Sequence, residues 1–377
     1  NGINHEDVGA VEVMENHQPM QVLAGISFSD KAAINLKLKS KAKATWTFHG
    51  DAGGGYSWPP GGAVWDGELF AMAVMPDFQN ITTLKTNNVG EDLSAQATDF
   101  FASRRGTELS RYVGISLPGV PNLSRKRTLF NRSALVSTNS LWKFGRGEFK
   151  AQLDYSFSRI VADAANITTY FLNDGERVVS ENRRGTDRSH SVSGKFIYEL
   201  NRKTAFINNT LKTNIDWDDV RLGVSGSLSN DQAASLPDYY VANDFKLIKR
   251  FKGKHLVTFK SKNEWESLPQ TLSVVSGGDI IRQEVKDRAF HTEESAEYAF
   301  SVKGITISLE GGVKGYLRNM NSGLTDLPML SEAAFAMTNA VNTNSLTVYA
   351  EPEFEYWVRR VNITLSAPLS YARYTFD

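Results

Sequence analysis

The feature of this sequence that most constrains its fold is an alternation of apolar and polar residues along unusually long stretches. From Glu148 to Ser158 the odd positions are apolar and the even positions are polar or charged. Such a period of two predicts a β-strand with one apolar and one polar face. This stretch runs for 11 residues, whereas strands in soluble sheets average about 5–6 residues. Further copies of the pattern lie at 305–318 and 346–356, and weaker ones at 191–200, 239–250, 254–266, 292–302 and 361–372.

Short turns separate these stretches at a regular interval of about 53 residues, which is room for two strands and one long connection. They lie at 145–147, 201–203, 252–254, 303–304 and 359–360. We expect long connections on the other side of the sheet. The polar segments that predict them are 161–188, 267–287 and 319–344.

One stretch changes the parity of its apolar positions. They are odd through Trp217 and even from Val220 onward. Because short turns must recur on one rim, an even number of strands has to lie between them. We therefore predict one long strand over 204–228, with a β-bulge at Asp218-Asp219, that returns as 238–250.

Long alternating strands with short turns on one rim and long connections on the other are typical of an outer-membrane β-barrel. Aromatic residues beside the short turns fit an interfacial girdle, and these are Trp142, Phe144, Phe251, Phe300 and Tyr356-Trp357. No window approaches 18 consecutive apolar residues, so the sequence predicts no transmembrane helix. The predicted fold class is all-β, an antiparallel transmembrane barrel with about 12–16 strands. The alternative is a large soluble β-sandwich or propeller with an aromatic core.

Composition excludes several classes of protein. The 42 basic and 42 acidic residues balance, which argues against a nucleic-acid binder. The absence of cysteine excludes disulfide scaffolds, cysteine zinc sites, iron–sulfur clusters and thiol catalysis.

No catalytic motif stands out. The six histidines include no pair spaced to bind zinc from one helix face, and neither a GxSxG elbow nor a phosphate-binding loop is present. The glycine-rich run Asp51–Tyr56 is interpreted as a hairpin loop. Glu351, Glu353 and Glu355 share one face of a strand, and we interpret them as lining a wet lumen. The sequence therefore predicts no enzyme, no catalytic, cofactor or metal site and no cofactor, and it identifies no substrate-binding residue.

The N-terminal residues follow a different rhythm. A short strand over Val8–Asn16 precedes a turn at His17-Gln18-Pro19, and one helical turn is expected over Met20–Ala24. A second strand, Ala32–Lys39, follows, and Ala44 opens the first long strand. We therefore divide the chain into 1–43 and 44–377.

This arrangement resembles the C-terminal end of the plug domain of TonB-dependent outer-membrane receptors. The strings Glu15–Pro19, Leu129–Ser133 and Leu141–Lys143 resemble the divergent subgroup with a carboxypeptidase-regulatory-like N-terminal domain. The order of these strings along the chain is the main part of the likeness. The sequence departs from the family where Leu23–Asp30 replaces the usual glycine-rich stretch, and it contains neither a TonB box nor the first half of a plug.

The resemblance implies the end of a plug over 1–43 and part of a 22-stranded barrel over 44–377, hence a fragment. It implies an uptake receptor in the outer membrane of a Gram-negative cell. Its implied partners are outer-membrane lipid, an inner-membrane TonB energy complex that acts through residues upstream of this sequence, and a surface lipoprotein, with no nucleic acid. The alternatives are a non-transporting outer-membrane barrel that serves as an adhesin or structural partner, and a soluble secreted carbohydrate-binding protein or glycosidase. A phospholipase-type enzyme barrel ranks last, because no serine pairs recognisably with a histidine.

Overall fold

The fold is taken from a computed structural model of the chain. The structure describes residues 8–14, 18–23, 33–38, 45–58, 62–91, 93, 111–119, 121–173, 175–227, 229–252, 255–302, 305–325, 337–358 and 361–377. The statements that follow concern these residues.

Nearly all of the described chain is β-strand. Two short strands come first, β1 (Val8–Met14) and β2 (Ala33–Leu38), with a 3₁₀ turn at Gln21–Leu23 between them, and the only described α-helix is α1 (Arg125–Thr128). The next strands are β3 (Thr45–Ser57), β4 (Gly62–Val74), β5 (Phe78–Asn87), β6 (Phe130–Phe144), β7 (Gly147–Leu172), β8 (Gly175–Asn201) and β9 (Ala205–Gly226). The last are β10 (Asn230–Ser235), β11 (Asp238–Arg250), β12 (His255–Ser276), β13 (Asp279–Val302), β14 (Ile305–Thr325), β15 (Met337–Val358), β16 (Val361–Ser366) and β17 (Leu369–Phe376).

Strands β3 to β17 form one antiparallel sheet in which strands pair with their neighbours in sequence, except that β10 does not pair with β11 and β16 does not pair with β17. Two positions in the sheet hold two short strands each. Strands β10 and β11 both lie between β9 and β12, and β16 and β17 both pair with β15. The predicted all-β antiparallel class is confirmed, and β1 and β2 form a separate two-stranded sheet.

The sheet has two chemically different faces. Because side chains alternate along a strand, the register assigns each residue to a face. We call the face that carries Phe149, Leu153 and Tyr155 of β7 the apolar face, and the face that carries Lys150 and Asp154 the polar face. On β14 the apolar face carries Ile307, Leu309, Val313 and Leu317, which are 41%, 54%, 39% and 53% exposed.

Aromatic rings form a row on the apolar face beside the short turns. Phe78, Trp142, Phe149 and Phe196 lie on successive strands, with ring centroids 5.6–6.4 Å apart. Trp46 stacks on Phe48 within β3, and a second group joins His255, Tyr298 and Phe300. Trp142 and Phe300 are two of the residues that the sequence predicted for such a row.

Three local predictions were wrong, namely the long connections, the bulge in β9 and the glycine-rich hairpin loop. The described residues of the segments 161–188, 267–287 and 319–344, which exclude 174 and 326–336, are largely strand, because the paired strands continue well past their alternating parts. Backbone pairing needs no apolar face, so it persists in polar sequence. Between β5 and β6, the described residues 88–91, 93, 111–119 and 121–129 are not strand.

The predicted bulge at Asp218-Asp219 is absent, since β9 pairs with β8 in continuous register. The interruption lies in the returning chain, where Leu236-Pro237 separates β10 from β11. The parity change instead marks a change of face, because Val220, Leu222 and Val224 are apolar residues on the polar face. The glycine-rich run Asp51–Tyr56 is likewise part of β3, where it pairs with β4.

Candidate binding site on the polar face

Near the short turns, charged side chains of β12 to β15 interact across the polar face. Lys260 Nζ lies 3.0 Å from Glu310 Oε2, and the Tyr349 hydroxyl donates to Glu310 Oε1 over 3.2 Å. Lys314 Nζ lies 2.9 Å from Glu293 Oε1. Such a dense mixture of both signs is compatible with a water-lined surface.

Farther from the short turns, the polar face is covered by residues 111–119, which we call the strap. The strap is a described segment of the connection between β5 and β6 and has no strand structure. Val113 is buried against an apolar cluster on the sheet, and Ile115 and Leu117 pack at its edge. The cluster residues of the sheet and its connections are Val220, Ala234, Leu236 and Val285, with Leu272 and Met320 partly buried beside them.

Polar side chains hold the first two residues of the strap. The Arg111 guanidinium forms an ion pair with Asp218. The Tyr112 hydroxyl donates to Asp287 Oδ2 over 2.5 Å, and Arg318 Nη2 donates to the same carboxylate oxygen over 2.8 Å. Arg318 Nη2 also donates to the Tyr112 hydroxyl over 2.7 Å, which closes a three-residue network.

Gln270 binds the backbone of the strap. Gln270 Oε1 accepts hydrogen bonds from the amides of Tyr112 and Val113, over 2.9 and 3.4 Å. Gln270 is 1% exposed and Asp287 is fully buried. We call these two residues, with Asp218, Arg318 and the apolar cluster above, the wall.

Burial, and then the hydrogen bond to Asp287, raise the pKa of Tyr112 to about 12. A phenol that donates to a carboxylate must keep its proton, so the network is built for neutral Tyr112.

The strap lies directly on the backbone at Gly185 of β8. A Cβ added there would be 2.4 Å from Leu117 Cδ2 and 3.2 Å from Pro118 Cδ. Only glycine allows this close approach without movement of the strap.

A second segment docks on the polar face beside the short turns. Val22 of the 3₁₀ turn is fully buried against Phe206 and Ile248. The Gln21 amide donates to Asn201 Oδ1 over 2.9 Å, and Asn201 Nδ2 donates to the Pro19 carbonyl over 2.6 Å. Residues 19–22 are therefore anchored to the polar face of the sheet.

A cavity of about 880 Å³ opens among the far ends of β7 to β12. Its lining mixes Arg183 and Arg184 with Asp163 and Asp231. No cluster of three or more potential metal ligands exists among the described residues.

The residues weighed in the sequence lie apart from the strap. Glu351, Glu353 and Glu355 all lie on the polar face of β15, which confirms that they share one face of a strand. Among the histidines, His49 lies beside Asp51, His190 beside Tyr155, His255 beside Tyr298 and His291 beside Glu264. His5 and His17 lie outside the described residues, whereas Gln18 and Pro19 of the predicted turn are described, with Pro19 in a bend.

The sequence pattern did not identify the strap or the wall. Their contacts join residues 107 to 206 positions apart, and only the fold brings these together. Two signals were present: the alternation of Val113, Ile115 and Leu117, and the even-position apolar residues that follow Trp217.

Farther from the short turns, the apolar face carries the ion pairs Arg184–Asp163 and Lys286–Glu284. Nearer the short turns it carries two polar clusters. In one, Asn80 Nδ2 donates to Thr138 Oγ1 over 3.0 Å and to Ser140 Oγ over 2.8 Å. In the other, Ser261 and Asn263 donate to Glu294 over 2.7 and 3.1 Å. Each cluster satisfies hydrogen-bonding groups within itself.

Within the part of the chain that the structure describes, no helix is both long and apolar enough to cross a bilayer. No family model matches the sequence, and no curated protein matches it significantly.

Proposed function

We propose that this chain is part of an outer-membrane receptor of the TonB-dependent type, which takes up a ligand through a plugged β-barrel. The observation that carries the proposal is the separation of the two faces of the sheet. One face exposes apolar side chains bordered by an aromatic row, and the other carries interacting charges. A lipid-facing exterior and a wet interior would produce this separation.

The packing of Val22 against the sheet favours a receptor with a plug over a barrel without one. A plug must lie against the interior wall, and the N-terminal element contacts the polar face beside the short turns. In this interpretation residues 18–23 are the base of the plug, and the short turns lie on the periplasmic side.

The polar clusters on the apolar face are compatible with lipid only because their members bond to one another. An unsatisfied polar group in hydrocarbon is costly, whereas a paired one is tolerated. The soluble alternative instead requires a cover for the apolar face, and the described residues provide no second layer over Leu309, Leu317 or Leu346, which are about half exposed.

The proposal is tested by expressing the complete gene product in a Gram-negative host and comparing the gel mobility of boiled and unboiled membrane extracts. We expect the protein in the outer-membrane fraction, with a mobility that changes on boiling. Recovery in the soluble fraction without a mobility change would overturn the proposal and favour the secreted carbohydrate-binding protein.

A further inference from the structure

The wall is built in a way that requires an occupant. Its apolar side chains lie on the face that elsewhere carries charges, so exposing them to water would be unfavourable. Gln270 and Asp287 are almost completely buried, and both use hydrogen bonds to the strap.

The contacts made by the wall are those that recognise an extended peptide. A side-chain amide accepts from two successive backbone amides, which depends little on sequence. One carboxylate pairs with a guanidinium and another accepts from an aromatic hydroxyl. Apolar residues at every second position then reach the cluster, as the period of an extended chain requires.

We propose that the wall is a binding site for an extended peptide and that the strap occupies it as an internal ligand. The preferred peptide has a basic residue, then an aromatic residue with a hydroxyl group, then apolar residues at alternate positions. The strap blocks the site until such a peptide displaces it. This inference rests on the proposed function, since a peptide can reach the wall from outside the cell only in a surface receptor. It adds that the substrate of that receptor is a peptide.

The internal ligand competes at the effective concentration of a tethered segment, which is on the order of millimolar for flexible links. Peptide binding to the unmodified protein should therefore be weak, and removing the strap should strengthen it.

The first experiment uses a variant in which residues 111–119 are replaced by nine Gly and Ser residues. The probe is a fluorescent peptide with the strap sequence Arg-Tyr-Val-Gly-Ile-Ser-Leu-Pro-Gly, and binding is followed by anisotropy in detergent. We expect saturable binding that is at least tenfold tighter than to the unmodified protein, as the tethering argument requires. A scrambled peptide of the same composition is the control.

Adding Asp287→Asn or Gln270→Ala to the strap-free variant should weaken binding several-fold, because the first replaces a charged acceptor with a weaker neutral one and the second removes an acceptor. Equal binding of the cognate and scrambled peptides, or no effect of these substitutions, would overturn the proposal and leave only non-specific apolar adhesion.

A second design remains informative if the strap-free variant does not fold. Since the chain contains no cysteine, Leu117→Cys with Gly185→Cys introduces the only possible disulfide, and Leu117→Cys also removes the Cδ2 atom that a Cβ at 185 would meet. Oxidation should lock the strap and reduce peptide binding below that of the reduced form. If the locked protein binds as well as the reduced one, the strap does not block the site. Heat-modifiability of the same samples distinguishes the two proposals. Protein that changes mobility on boiling but shows no effect of the disulfide contradicts only the peptide-binding proposal.

Discussion

At the scale of single residues, adjacent glycines of β14 differ sharply in the space around them. A Cβ on Gly312 would lie 2.6 Å from the Glu294 carbonyl oxygen and 2.7 Å from the Tyr349 ring, whereas one on Gly311 would come no closer than 3.7 Å to its neighbours. We expect Gly312→Ala to destabilise the fold by about 1–3 kcal/mol, as overpacking does. The matched Gly311→Ala should be neutral or slightly stabilising. Denaturant unfolding of both variants, followed by fluorescence, tests this; equal stabilities would contradict it.

Tyr112 makes the attachment of the strap dependent on pH. Because its pKa is raised from 10.0 to about 12, the attached strap favours the neutral phenol. The stabilisation is therefore complete below pH 10 and is lost as the pH rises from about 10 to 12. The tyrosinate absorbance of the unmodified protein minus that of Tyr112→Phe should titrate with a midpoint near 12. A midpoint near 10 would show that Tyr112 is not held by Asp287.

At the scale of structural elements, the N-terminal segment depends on one buried side chain. Val22→Asp places a carboxylate in a fully buried apolar site and removes about 1.5–3 kcal/mol of apolar burial. We expect residues 18–23 to detach from the polar face of the sheet, and we expect the Gln21 and Leu23 amides to exchange hydrogen faster. Gln21→Asp introduces the same charge on an exposed neighbour and is the control. Unchanged exchange in the Val22 variant would mean that the hydrogen bonds to Asn201 and Arg250 hold the segment without the buried side chain.

The elements also show what the sequence could predict. Alternation and short turns locate β7 to β9 and β11 to β15 because the period of two reports on local geometry. The ends of these strands away from the short turns were missed, since pairing there continues without an apolar face. The parity change after Trp217 is visible in the sequence, but the β-bulge that it predicted is absent. Its cause is a contact with residues 111–119, more than a hundred positions earlier, and local periodicity carries no information about such contacts.

At the scale of the whole molecule, the position of lipid can be tested by placing the same charge on either face. Val136 lies on the apolar face of β6, six residues from Trp142 of the aromatic row, and is 38% exposed, whereas its neighbour Ser137 lies on the polar face opposite Asp154. If the apolar face meets lipid, Val136→Arg costs about 2–4 kcal/mol near the centre of the bilayer. Ser137→Arg should cost little, because Asp154 lies beside the new charge.

The two variants should therefore differ in the yield of heat-modifiable protein in the outer membrane, with Val136→Arg markedly reduced and Ser137→Arg close to the unmodified protein. A soluble sheet predicts a different result, since arginine at a half-exposed surface position is usually tolerated within about 0.5 kcal/mol. Equal yields, with both variants in the soluble fraction, would mean that the apolar face is covered by protein. Because the substitutions are adjacent in sequence and identical in charge, only the environment of the face can explain a difference between them.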